Sequence, residues 1–95
     1  MPTNFLIDGM MSGTGVRDAI NGGYVDPETL GFSRALIHEL DKWLQRSKAA
    51  HFAGHPMNEV ATLDREGAAL AHKARAELSE YNFGYFSDGL MKRLF

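Results

Sequence analysis

The sequence predicts an α+β fold: two long helices forming an antiparallel hairpin, packed on a small two- or three-stranded sheet, with more helix than strand. Three observations predict it. Apolar residues recur at steps of three and four over two long stretches, 33–52 and 58–79, joined by a short Gly54-His55-Pro56 connection. Short strand-like runs lie near the two ends, at Asn4–Ile7 and Tyr81–Phe86. The chain has 95 residues, the size of one small domain spanning 1–95, and a sheet of so few strands is marginal unless it lies on the helices.

The elements follow in order. Residues 4–7 form an apolar run bounded by Asp8-Gly9, which reads as a strand. A glycine-rich stretch follows, from Gly9 to Gly23. Within it, Val16–Ile20 reads as one helical turn capped by Thr14 and stopped by Gly22, in preference to a hairpin arm turning at Asn21-Gly22 and returning through Tyr24-Val25. Asp26-Pro27-Glu28 is a helix start cut short by Gly31. Ser33 recaps, and Leu36, Ile37, Leu40, Trp43 and Leu44 form the apolar stripe of the first long helix, which ends near Phe52 before Gly54. Arg34, His38, Glu39, Asp41, Lys42, Gln45 and Arg46 fall on its wet side.

In the second long helix Val60, Leu63, Gly67, Leu70, Ala71, Ala74 and Leu78 form one seam. A glycine inside that seam marks close approach of another element, because Ala would be the better helix former by up to about 1 kcal/mol. Tyr81–Phe86 alternates like a strand, Ser87-Asp88-Gly89 is a turn, and Leu90–Phe95 is a short amphipathic tail. Pairing of the N-terminal and C-terminal strands is the preferred arrangement.

Composition removes several function classes. Lys plus Arg is 10 and Asp plus Glu is 12, a net charge of −2, which gives no electrostatic footprint for nucleic acid or an anionic membrane. The chain has no cysteine, which excludes disulfides, thiolate metal ligands and a catalytic thiol. Met1-Pro2-Thr3-Asn4 carries no basic region, and no apolar run reaches membrane-spanning length, so a cytoplasmic location is expected.

The constellations that carry chemistry are partial. Gly13-Thr14-Gly15 after a strand has the look of a phosphate-cradling loop, with Arg17 as an anion partner, but it lacks the lysine of a P-loop and the third glycine of a dinucleotide fingerprint. His51 and His55 are four apart, a metal-ligand spacing, yet Gly54 and Pro56 place them across a helix end, with no third ligand in register. Ser12, Asp8 and Asp18 supply hydrolase residue types without a nucleophile elbow, and Asp64 and Glu66 point to different faces. No cofactor and no catalytic residue is expected. Tyr81, Phe83 and Tyr85 share one strand face, with Phe86 on the other; such a stripe either covers the core or meets a partner.

Met11–Asp18, Gly23–Pro27, Leu63–Gly67 with Glu77-Leu78, and Gly84–Asp88 together resemble a group of small, uncharacterised bacterial proteins. The resemblance implies a bacterial cytoplasmic protein and attaches no activity or functional residue to it. The resulting expectation is a non-enzymatic protein-binding domain of the immunity or antitoxin-like kind. Its contact patch is Tyr81, Phe83, Tyr85, Phe86 and Asp88, with Arg17 and Asp18 beside them, and its partner is another protein or a second copy in a homodimer. The rival is a small-ligand or anion-binding protein, or a small enzyme, working at the Gly9–Asp18 loop with the nearby histidines.

Overall fold

The first strand, β1 (Asn4–Asp8), is the centre of the fold rather than its margin. In the computed structural model, which describes residues 3–95, β1 pairs antiparallel with β2 (Val16–Asp18) on one side and parallel with β3 (Asn82–Ser87) on the other. Met1 and Pro2, part of the N-terminal stretch without a basic region, lie outside the described residues. A short β4 (Lys92–Arg93) closes the order β2-β1-β3-β4. Being covered on both faces, β1 buries Phe5, Leu6 and Ile7 in succession, as an uninterrupted apolar run predicts, and Asp8 after them. The parallel β1–β3 pair requires a crossover, and three helices supply it: α1 (Pro27–Leu30), α2 (Arg34–Phe52) and α3 (Met57–Glu77).

Two expectations need correction. The sheet has four strands instead of two or three, because Val16–Asp18 adds one edge and the amphipathic tail folds back as the other: the Leu94 N–H donates to the Tyr85 carbonyl and the Tyr85 N–H to that of Phe95. Val16–Ile20 is not a helical turn; Val16–Asp18 is a strand. Gly22 and Gly23 both hold positive φ, 76° and 80°, and swing the chain into the Arg17–Tyr24 bridge. The β-branched Val16 is fully buried there, where a strand suits it better than a helical turn.

The helices follow their periodicity. α2 buries Leu36, Leu40, Trp43, Leu44, Ser47 and Ala50, and its Ser33 cap accepts from the Leu36 N–H. The seven polar residues assigned to its wet side are all exposed. α3 buries Val60, Leu63, Gly67, Leu70, Ala71 and Ala74. These seams and the inner sheet face of Phe5, Ile7, Val16, Phe83 and Tyr85 make one core. Trp43 ties the layers together, donating from Nε1 to the Leu63 carbonyl at 2.9 Å and meeting the Tyr85 ring edge-on. Gly67 is where helix meets sheet: a Cβ there would lie 2.8 Å from the Trp43 ring and closer still to the Tyr85 ring. No helix among the described residues is long and apolar enough to cross a membrane.

Candidate functional site

Because β1 and β3 are parallel and in register, with Asp8 opposite Phe86, their carboxyl ends open at the same edge of the sheet. That edge is where ligands bind in open sheets of parallel strands. Two polar groups meet there.

The first is built on the outer sheet face around Asp8, which is 1% exposed. Its carboxylate takes Arg17 Nε at 3.2 Å, the Tyr24 hydroxyl at 3.0 Å and the Met10 N–H at 3.2 Å. The Arg17 guanidinium lies 4.7 Å above the Phe86 ring, so one cation serves both the carboxylate and the aromatic face. Burial raises the Asp8 carboxyl above its ordinary range despite the Met10, Tyr24 and Arg17 contacts, and nearby Asp88 adds to the rise. Burial and the adjacent Asp8 charge push the Tyr24 phenol far up, so it remains a proton donor.

The glycine-rich loop beside it is committed to its own fold. Asp8 N–H donates to Gly15, Gly13 N–H to Met10, and the Thr14 hydroxyl to the Val25 carbonyl at 2.6 Å. Gly9 packs against Ser47 and Trp43. An anion here would find the Arg17 guanidinium already engaged and the Asp8 carboxylate behind it.

The second group lies where β3 ends against the α2–α3 connection. Asp64 on α3 accepts from the Tyr85 hydroxyl at 2.7 Å and the Ser87 hydroxyl at 2.9 Å. The Tyr85 phenol is thereby held protonated, raised by burial and by Asp64. One residue on, Asp88 turns towards two histidines: Oδ2 is 3.6 Å from His51 Nδ1 and 3.7 Å from His55 Nε2. His51 lies in the last turn of α2, while Gly54 (φ 82°) and His55 (φ 55°) both adopt the left-handed region. That pair of left-handed residues folds the chain back until the two imidazoles lie 5.0 Å apart and perpendicular. Asp88 is 8% exposed, and its Oδ2 is buried without a hydrogen-bond partner among the described residues. A small, partly open cavity lined by His55 and Asp88 holds about 10 Å³, the space of a single water-sized body.

Of the residues expected from sequence to form a contact patch, the structure brings Arg17 and Phe86 together and sets Asp88 near them at the same edge. Phe83 and Tyr85 are 3% and 1% exposed and pack on the helices, because their strand face is the one α3 covers; they offer no surface to a partner. Tyr81 is half-buried against Phe5 and Phe83. Asp18 lies towards the other end of β1, opposite Phe5, its carboxylate turned onto the Ile20 and Asn21 N–H groups. His51 and His55 straddle the helix end as expected, and the third group that sequence did not supply is Asp88. His38 takes no part in that cluster, and His72 stacks on Phe95 instead.

Sequence reasoning missed Asp8, Tyr24, Asp64 and Ser87 as members of this edge. Asp8 carried one usable signal, an acid ending an apolar run; the rest depended on which strand ends meet. Comparison with protein-family models, with curated proteins and with solved structures finds no match to this chain.

Proposed function

We propose that the chain is a non-enzymatic protein-binding domain whose contact surface is this carboxyl-end edge. The observation that carries the reading is an apolar rim. Phe52, Met57, Leu90 and Met91 are 78%, 71%, 41% and 66% exposed. All belong to the segments that meet at Asp88: Phe52 adjoins His51, Met57 follows His55 by two residues, and Leu90 and Met91 follow Asp88. Single exposed apolar residues are ordinary, but a group of them around a half-buried polar centre is the anatomy of an interface. The reading takes α2 and α3 as an antiparallel hairpin, since Glu39 pairs with Lys73 and Arg46 with Glu66, which returns the helix connection to this edge. It also fits the small volume of the cavity at His55 and Asp88, about 10 Å³, which leaves little room for an organic substrate beside the polar groups.

The test is a double variant, Phe52→Ser with Met91→Ser. Both side chains are exposed, so stability should stay within about 0.5 kcal/mol of the parent while partner affinity falls at least about tenfold. A variant that keeps full affinity would remove this edge from the interface. Measured mass in solution separates a foreign partner from a second copy of the chain. A captured toxin would make the role that of an immunity protein.

A further inference from the structure

We propose that His51, His55 and Asp88 form a binding site for a divalent transition-metal cation of the Zn2+ class. Their ligand atoms all lie within 4.8 Å of one another. Two imidazole nitrogens and one carboxylate oxygen are a donor set suited to Zn2+ and poorly suited to Mg2+ or Ca2+, which favour oxygen cages. A tetrahedral Zn2+ with bonds of about 2.0–2.2 Å holds its ligands about 3.3 Å apart, so side-chain rotation that draws in the 3.6 and 3.7 Å contacts and the two imidazole nitrogens, which lie within 4.8 Å of each other, closes the site.

The orphaned oxygen points to the ligand independently of the clustering. Asp88 Oδ2 is buried, accepts no hydrogen bond among the described residues and faces both imidazoles. A buried carboxylate oxygen without a partner is costly, and a coordinated cation would satisfy it. The cavity of about 10 Å³ beside it matches one small body rather than an organic ligand. The imidazoles stay partly open, with side chains 43% and 28% exposed, which leaves a fourth coordination position for water. An ion pair between Asp88 and a protonated histidine is the competing account, and it predicts no metal dependence.

The experiment is a titration of the purified chain with ZnCl2, followed by calorimetry and by histidine imidazole NMR. The expected result is one Zn2+ per chain, with the His51 and His55 ring resonances shifting together while those of His38 and His72 stay fixed. Asp88→Asn and His55→Ala, each checked for retained circular dichroism, should weaken binding beyond the roughly 10–100-fold that loss of an outer-shell partner costs. The NMR reading needs no variant, so a misfolded variant leaves the test intact. Absence of saturable binding would overturn the proposal, as would shifts centred on His38 or His72, or an Asp88→Asn chain that binds Zn2+ unchanged. The outcome is independent of partner capture, so the two proposals stand or fall separately.

Discussion

Asp8 and Asp18 are both buried acids on paired strands, yet their carboxyl groups are displaced in opposite directions. Asp18 is lowered from 3.8 by the N–H groups of Asn21 and then Ile20, which favour its charged form. Its folded value lies below the unfolded one, so its contribution is present above about pH 4 and disappears as pH falls through the folded value. Asp18→Ala should therefore be destabilising at neutral pH in urea denaturation, with the gap to the parent closing in strong acid. Asp8 is raised, mainly by burial, so its sign is reversed: its contribution is complete below the unfolded value and declines as pH rises through the folded one. Asp8→Asn should gain on the parent as pH rises over that window. At Tyr85, replacement by Phe removes the hydroxyl that donates to Asp64, and an unfolding free energy lower by about 1.5–3 kcal/mol is expected, the range for bonds to charged acceptors.

Among the elements, α3 shows how packing overrides propensity. In an isolated helix Gly67→Ala would stabilise by up to about 1 kcal/mol. Here the added methyl meets the Trp43 and Tyr85 rings, and a loss of about 1–3 kcal/mol is expected in denaturant titration. The sign alone decides which effect dominates. That close approach was legible in the sequence, since a glycine inside an apolar seam weakens the helix and is of use where a neighbour needs the space. Both helix seams were legible because a period of three to four over many residues tolerates single exceptions such as the half-buried Ile37. Val16–Ile20 was misread because five residues cannot separate the two periods. The Gly22-Gly23 turn, which decides the matter, gains meaning only once Tyr24 is seen bridging Arg17. The site was least legible: pairing of the terminal strands was expected, but not the parallel register that sets Asp8 opposite Phe86 and brings Asp88 to its edge, nor the left-handed Gly54-His55 turn that carries the two imidazoles there.

For the molecule as a whole, the radius of gyration of 12.2 Å agrees with the roughly 12.4 Å expected of a folded chain this long. The exposed apolar rim is thus a feature of a closed fold rather than of a loosened one. The outer groove between α2 and α3, lined by Glu39, Lys42, Arg46, Glu66 and Lys73, offers a contrasting surface with its own ion pairs already made. The two surfaces should therefore respond differently to a partner. The most direct test is hydrogen–deuterium exchange on the chain alone and in complex with whatever it captures from the cells that encode it. Protection concentrated at residues 50–58 and 87–92 is the predicted result. Protection confined to the exposed faces of α2 and α3, with the carboxyl-end edge unchanged, would contradict the account.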